Sequence, residues 1–361
     1  MMPGFMMQDT RYKNIFYSIL IILVLCYLYF IVGIDELLST LTRLDPGLFF
    51  FLTTLQMITQ ILLAYRLQLL IRALKYRIGF MKLFAIHLAG ALVENITPAA
   101  KAGSEPARVY LLHKEGILLK DAFTVTLVGK YVDMIPFTVL LLLSYTYLAT
   151  QFILPAPLIV AIQASIVLII FLGISGVIFL YRNEKIAVKI LRNAMKILHF
   201  FTAKRAKNRE RHAVQVQVQH DAEAEAAVKN FKRSLFNIVQ DKAVLTISLS
   251  ASIIVWLLYP LKIYVIFYTL GTDISFGIVA CVTFLAYLVG LIPLLPGGLG
   301  IYEGSAIALY SILGISLADA TVAVIIGRLF TFWFVILLGT LAAIILKIKT
   351  NSEYKTEEIF Y

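Results

Sequence analysis

The sequence predicts an all-α polytopic membrane protein, from its composition, its long apolar segments and an internal repeat. Of 361 residues, 60% are hydrophobic and 15% are charged, whereas about a quarter of the residues in a soluble domain are charged. The net charge of +11 is concentrated in a few loops, which indicates membrane topology. Both cysteines, Cys26 and Cys281, lie in apolar segments, so neither a disulfide framework nor a metal cluster is predicted.

Six apolar segments are long enough to cross a membrane, because a core of about 30 Å needs roughly 20 apolar residues in a helix. They are 14–34, 46–71, 120–150, 156–181, 243–269 and 319–347. The first follows Arg11 and Lys13, so a cleaved signal peptide is the alternative. Its apolar core is too long and no small-residue cleavage site follows it. We therefore interpret it as a retained anchor.

Two further apolar regions, 80–115 and 274–315, each contain a break. In each, a helix-length run is followed by a non-helical stretch and a second run of about twelve residues, or about 18 Å of helix. The helix-breaking residues are Pro98 and Gly103 in the first region, and Pro296, Gly297, Gly298 and Gly300 in the second. The second runs are too short to cross, so both regions are predicted to be re-entrant hairpins.

The distribution of basic residues predicts that both termini lie inside the cell. Loops near spans collect Lys and Arg on the cytoplasmic side. With six full spans and two re-entrant hairpins, the basic loops and the basic 182–242 segment share the inner face. The outer segments then contain a single basic residue, Arg43. We therefore predict a multi-pass protein of the cytoplasmic membrane.

The 182–242 loop is the only sizeable polar part of the sequence. Basic and apolar residues alternate at helical spacing from 185, and a basic run ends at 211. This pattern predicts that 185–211 lies on the anionic inner leaflet. Nucleic-acid binding is the less favoured alternative for these charges.

An internal repeat appears when the chain is compared with itself at an offset of 198 positions. Matched Pro, Glu, Asp and Gly are informative because these types are scarce in this sequence. The matched pairs are Pro98 with Pro296, Glu105 with Glu303, Gly116 with Gly314, Asp121 with Asp319, Gly129 with Gly327, and Lys130 with Arg328. The repeats are predicted at 1–155 and 156–361. Three full crossings in each make the second repeat inverted, an arrangement typical of transporters.

Charged and polar residues near the breaks and within the third span of each repeat are the candidate site. Ionisable groups in a bilayer are costly and face a polar pathway or one another. The candidates for substrate binding or translocation are Glu94, Lys101, Glu105, Arg108, Lys130, Asp133, Tyr302, Glu303 and Arg328.

Structural roles are the alternative for several of these residues. Glu105 and Glu303 lie in a first helical turn, where a carboxylate complements the helix dipole. Lys130 and Asp133 are one turn apart and could form a structural ion pair. Arg328 has no acidic residue one turn away, so its partner must come from elsewhere, such as Glu105 or Glu303.

Helix N-termini opened by the breaks present free N–H groups, a natural site for phosphate. Positive charge is added there by Lys101, Arg108, Lys130 and Arg328. These features predict a central cavity for an anionic head group whose tails stay in lipid, and hence the movement of a lipid across the membrane. The glutamates would balance the cations in the empty cavity or carry a coupled proton.

The chain resembles a flippase-like membrane family that includes the transmembrane region of lysylphosphatidylglycerol synthase. The resemblance is carried by AAKAGSEPAR at 99–108, PGGLGIYEG at 296–304 and GRLFTFW at 327–333. It implies translocation of aminoacylated or glycosylated lipids, on phospholipid or polyprenyl carriers, some linked to envelope glycan assembly. Envelope-biosynthesis enzymes are therefore possible partners.

Two other functions are open. One is an intramembrane lipid-modifying transferase, although the sequence contains no HExxH, Asp-rich metal motif or nucleophile elbow. The other is a partner subunit that binds lipid without moving it. No cofactor is predicted, and aminoacyl transfer is not expected.

Overall fold

The computed structural model describes residues 45–97, 104–151, 236–292 and 295–359, with five isolated helical positions between 159 and 171. Side chains are described up to 346. The described part is helical and contains no strand. Its helices are α1 (Pro46–Ala73), α2 (Phe80–Ile96), α3 (Ser104–Lys114), α4 (Leu119–Gln151), α5 (Lys242–Thr269), α6 (Phe276–Val289), α7 (Ile301–Ile312), α8 (Leu317–Arg328) and α9 (Phe334–Ile359). A 3₁₀ turn (Pro296–Gly298) precedes α7, and a π-helical turn (Leu329–Trp333) joins α8 to α9.

The chain divides into two compact units, residues 1–51 and 52–361, at a point inside α1. In the described part of the first unit, Asp45 caps α1 by accepting a hydrogen bond from the Leu48 N–H at 3.1 Å. Such a cap satisfies one of the free N–H groups at a helix start. All the sites below lie in the second unit.

Four described helices are long and apolar enough to span a membrane: Pro46–Ala73, Leu119–Gln151, Lys242–Thr269 and Leu317–Leu346. Their bounds agree within two residues with four of the predicted spans. The predicted span 14–34 lies outside the described residues, and so does most of 156–181 and of the 182–242 loop. Six full spans and the orientation of the termini stay predictions.

Both hairpin regions are interrupted where proline and glycine predicted a break. In the second region, Gly297, Gly298 and Gly300 have φ of +60°, +69° and +75°, a backbone conformation that side-chain-bearing residues rarely adopt. In the first region, α2 ends at Ile96 and α3 begins at Ser104. Pro98, Lys101 and Gly103 lie outside the described residues. Whether the hairpins are re-entrant stays a prediction.

The helix bounds follow the repeat found in the sequence. At the 198-residue offset, the start of α4 at Leu119 falls on the start of α8 at Leu317. The start of α3 at Ser104 falls one residue after that of α7 at Ile301. The turns that follow α3 and α7 both contain a glycine with positive φ, Gly116 at +85° and Gly314 at +88°. Matched sequence positions therefore adopt matched local structure.

Packing between the helices is also paired. Within the first repeat α3 packs on α2 and α4, and within the second α7 packs on α6 and α8. Between the repeats, α4 packs on α6 and α9 packs on α2. The Sγ of Cys281 in α6 donates a hydrogen bond to the Ser144 carbonyl of α4 at 3.3 Å. The third span of each repeat thus covers the first half-helix of the other.

The α2–α9 contact depends on Gly339. A Cβ at this position would lie 2.6 Å from the Leu88 carbonyl oxygen and 2.7 Å from the Leu92 Cβ. We expect Gly339→Val to lower the free energy of unfolding by about 1–3 kcal/mol, because the helices must separate. Unfolding by SDS titration in mixed micelles measures this change. Leu337→Val, on a side chain that is 55% exposed, is the control, and equal losses for both variants would contradict the prediction.

Candidate functional site

A buried ion pair joins α7 to α8 in the second repeat. The Arg328 Nε donates a hydrogen bond to the Glu303 Oε1 at 2.5 Å, and its Nη2 donates to the Gly297 carbonyl at 2.9 Å. The two side chains are 8% and 5% exposed. The guanidinium carbon lies 4.9 Å from the Tyr302 ring centroid and 4.5 Å from that of Phe332. Arg328 therefore contacts the break, the first turn of α7 and two aromatic rings.

The local sequence explains this geometry. Gly300 directly precedes α7, has a positive φ and provides no side-chain cap. The first N–H groups of α7 are therefore left to other partners. Glu303 occupies that first turn, where the helix dipole stabilises a carboxylate. Arg328 ends α8 and is followed by the π-helical turn that carries Phe332. Such π turns are frequent at functional sites.

The first repeat contains the equivalent pair. The Lys130 Nζ of α4 lies 3.1 Å from the Glu105 Oε1 in the first turn of α3. At the 198-residue offset, Lys130 and Glu105 correspond to Arg328 and Glu303. The structure thus brings together four predicted site residues as two matched cation–glutamate pairs.

Arg108 and Glu94 also approach each other across α2 and α3. The Arg108 Nη2 is 3.9 Å from the Glu94 Oε2, a contact longer than a hydrogen bond. Arg108 lies directly over Gly90, where a Cβ would be 2.7 Å from the Arg108 Cγ. The absence of a side chain at position 90 is therefore what lets Arg108 reach along α2.

The alternative of a Lys130–Asp133 ion pair is wrong, since no such pair occurs among the described residues. The Asp133 Oδ1 accepts a hydrogen bond at 2.6 Å from the Nη1 of Arg66 on α1. That nitrogen also lies 2.6 Å from the Ser252 Oγ of α5. Although the two residues are one turn apart, the Asp133 carboxylate contacts α1 and the Lys130 amine contacts α3. Asp133 therefore joins α1, α4 and α5 and does not lie in the pair next to the break.

Sequence reasoning missed Arg66 and a polar stripe on α1. Gln56, Thr59, Gln60 and Arg66 are all buried. Thr59 and Gln60 lie three and four residues after Gln56, so these three side chains share a face of the helix. The Gln60 Oε1 lies 2.9 Å from the Nε2 of His87, so this contact joins α1 to α2. A signal was present, because these polar residues recur at helical spacing in an otherwise apolar span.

Lys262 on α5 was also missed. Its amine is completely buried and donates to the Gln56 Oε1 at 2.5 Å and to the Thr59 Oγ1 at 3.0 Å. It lies 4.8 Å from the Tyr259 ring centroid. A single lysine inside the segment 243–269 is the signal that could have identified it.

The second break packs against the end of α2, in the second unit. The turn Pro296–Gly298 packs on α2, and a Cβ on Gly297 would lie 3.1 Å from the carbonyl oxygen of Asn95, near the end of α2. The same Cβ would lie 2.2 Å from the Phe332 Cε2. The second break is therefore held between the end of the first half-helix and the π-helical turn.

Outside the breaks, hydrogen bonds fix the starts of α4 and α8. The Tyr76 hydroxyl, in the loop between α1 and α2, donates to the Asp121 Oδ2 at 2.7 Å. Burial, followed by this hydrogen bond to Asp121, raises the pKa of Tyr76 to about 12. In the second repeat, the Ser316 hydroxyl caps α8 by accepting from the Asp319 N–H at 3.0 Å.

Comparison with known proteins identifies the family. The model of the lysylphosphatidylglycerol synthase transmembrane region matches residues 15–339. The chain belongs to this family. A UPF0104 membrane protein of Methanothermobacter thermautotrophicus is 30% identical over 336 residues, 92% of this chain and 95% of that protein. UPF0104 membrane proteins of Pyrococcus horikoshii and Methanocaldococcus jannaschii are 25% and 24% identical, over 91% of this chain and 95% and 94% of those proteins.

The part of the chain that matches the lysylphosphatidylglycerol synthase transmembrane region contains both cation–glutamate pairs. In each pair one carboxylate oxygen, the Oε2 of Glu105 and of Glu303, is buried and has no hydrogen-bond partner among the described residues. The Ser104 Oγ and the Arg108 Nε share this condition. Buried polar atoms almost always have a partner, so these four atoms stand out beside the two breaks.

Proposed function

We propose that this protein moves an anionic or head-group-modified lipid between the leaflets of the cell membrane. The observation that carries the proposal is the matched pair of cation–glutamate contacts, Lys130 with Glu105 and Arg328 with Glu303. Each contact lies in the first turn of a helix that follows a break. In transporters of inverted-repeat architecture, substrate sites form where the N-termini of such half-helices meet.

The chemistry of the site suits a head group with both negative charge and hydrogen-bond donors. Lys130, Arg328 and the opened helix starts favour a phosphate. The buried, unpartnered oxygens of Glu105 and Glu303 would accept hydrogen bonds from an ammonium or hydroxyl group. An aminoacyl or glycosyl phospholipid carries both kinds of group. The acyl or isoprenoid chains would stay in the surrounding lipid.

Movement of the two repeats, or of their hairpins, would expose the site to each leaflet in turn. In this scheme the chain has six spans, two re-entrant hairpins and inverted repeats, with both termini in the cytoplasm. The segment 185–211 would lie on the anionic inner leaflet. Envelope-biosynthesis enzymes would supply or consume the lipid.

Reconstitution tests this proposal with variants that neutralise each pair. Glu303→Gln with Arg328→Gln, and Glu105→Gln with Lys130→Gln, remove the charges but leave no buried charge unpaired. The vesicles contain phosphatidylglycerol and phosphatidylethanolamine with lysyl-phosphatidylglycerol labelled on an acyl chain by NBD. Dithionite reduces the NBD of the outer leaflet, so the protected fraction reports translocation. We expect each double variant to lose translocation by about 100-fold or more, the loss of roughly 3 kcal/mol of head-group binding.

The matched control is Lys82→Gln with Glu115→Gln, which neutralises another cation–glutamate pair, between α2 and the turn after α3. This variant should translocate the probe at the wild-type rate. Equal translocation by the wild type and both site variants would refute the assigned site. Absence of translocation by the wild type, for this probe and for a glycosylated one, would refute the function.

A further inference from the structure

Lys262 has surroundings unlike those of the other buried cations. Its amine is 0% exposed and contacts two neutral oxygens, of Gln56 and Thr59, and the face of the Tyr259 ring. The Thr59 hydroxyl donates its own hydrogen to the Leu55 carbonyl at 2.8 Å. It can therefore only accept from Lys262, and no carboxylate among the described residues forms an ion pair with this amine.

This arrangement accommodates both protonation states of the amine. A protonated amine has three donors, of which two meet oxygens and the third faces the ring, a favourable cation–π geometry. A neutral amine keeps the two hydrogen bonds and loses only the attraction between its charge and the ring. Burial opposes the charge, whereas the oxygens and the ring stabilise it. No fixed counter-charge commits the site to either state.

The contrast with the other cations is informative. Arg66, Lys130 and Arg328 each contact a carboxylate, which supplies a counter-charge. The repeat does not preserve Lys262, since the equivalent position in the first repeat is Ala64. Lys262 is therefore a feature of the second repeat alone.

The other titratable groups around α5 are engaged elsewhere. On α1, Arg66 contacts Asp133 of α4, and on α8 Arg328 contacts Glu303 of α7. Lys130 of α4 contacts Glu105. Other titratable groups on these helices include His87 of α2, which contacts Gln60, and Cys281 of α6, which donates to the Ser144 carbonyl. They also include Lys120, Asp121, Asp319 and the phenols of Tyr65, Tyr131, Tyr145, Tyr147, Tyr259, Tyr264, Tyr268, Tyr287, Tyr302 and Tyr310.

Lys262 is mechanically linked to the proposed lipid site. The next residue, Ile263, interlocks with Gly327, where a Cβ would lie 2.1 Å from the Ile263 Cδ1. Gly327 directly precedes Arg328. A chain of rings also joins the two cations, with centroids 5.2 Å apart between Tyr259 and Tyr287 and 4.9 Å apart between Tyr287 and Tyr302. A shift of α5 against α1 must therefore move the α8 residue beside Arg328.

We propose that Lys262 is a proton-binding site, whose loading and release shift α5 and thereby couple lipid movement to proton movement. The coupling rests on the proposed function, whereas the proton site does not. On release, the N–H bond of the ammonium breaks, its electrons remain as the amine lone pair, and the proton passes to water. The reverse step reloads the site from water on the other side.

A spectroscopic experiment tests the proton site without transport. Protein labelled with ¹³C,¹⁵N-lysine is placed in phosphatidylglycerol nanodiscs, and the signal absent from Lys262→Arg identifies Lys262. We expect its ε-carbon shift to change between about pH 5 and pH 9, because buried lysines release their proton well below the ordinary lysine pKa of about 10.4. A shift that stays constant over this range overturns the proposal.

Translocation of the labelled lysyl-phosphatidylglycerol tests the coupling. The wild-type rate should change by about tenfold over the same pH range, as expected for a site whose loading limits the rate. Lys262→Met and Lys262→Arg, one neutral and one permanently charged, should have flat pH profiles. A wild-type profile retained in both variants overturns the coupling. If the wild type moves no lipid but its Lys262 signal titrates, the proposed function fails and the proton site stands.

Discussion

Replacing Arg328 with glutamine is expected to lower the free energy of unfolding by about 3–5 kcal/mol, because a buried carboxylate loses its counter-charge. Glu303 is 4% exposed as a residue and has no other ion-pair partner among the described residues. The Gly297 carbonyl would also lose its hydrogen bond from the guanidinium. SDS titration in mixed micelles, followed by the fluorescence of Trp256 and Trp333, measures the change.

Removal of both partners gives the decisive comparison. Arg328→Gln combined with Glu303→Gln should recover most of the lost stability, because the glutamine amide can meet both the carbonyl and the second side chain. This double variant is the one that should lose translocation while remaining folded. Equal destabilisation by the single and double variants would mean that the carboxylate is not the source of the cost.

Substitution of Gly297 by alanine is expected to have the second largest effect. An L-residue at φ of +60° costs about 1–2 kcal/mol. The new Cβ would also lie 2.2 Å from the Phe332 ring, so that ring must leave the face of Arg328 and lose a cation–π contact of about 1–2 kcal/mol. We expect a loss of about 2–4 kcal/mol in unfolding free energy, with translocation lowered at least tenfold.

Two glycines separate the contributions to this effect. Gly314 has φ of +88° but open space around a Cβ, so Gly314→Ala reports the backbone cost alone. Gly304 has open space and no positive φ, so Gly304→Ala on α7 should be neutral or slightly stabilising. If Gly297→Ala costs no more than Gly314→Ala, the proposed contact with Phe332 carries no energy.

The long helices and their interruptions could be predicted from the sequence. A bilayer demands about 20 apolar residues per span, and the runs ending near 71, 150, 269 and 347 satisfy that demand. The break before α7 could be predicted from proline and glycine, because proline restricts the local backbone and glycine frees it. Local rules therefore predicted local structure.

The contacts of the cations were harder to predict. Glu303 and Arg328 could be named because both are charged and near a break, and Glu303 was one of two partners considered for Arg328. Asp133 was interpreted through its neighbour one turn away, whereas its partner Arg66 is 67 residues distant. Gln56 and Lys262 are 206 residues apart. A single sequence gives spacing along one helix but not which helices meet.

The packing of α4 on α6 and of α9 on α2 has a consequence for how such a chain arises. The third span of each half covers a surface of the opposite half. A single half would leave these surfaces without a partner. It could therefore be stable only beside a second copy whose equivalent helix covers them. Once the halves were fused, neither was obliged to stay identical, and a residue such as Lys262 could be acquired on one side alone.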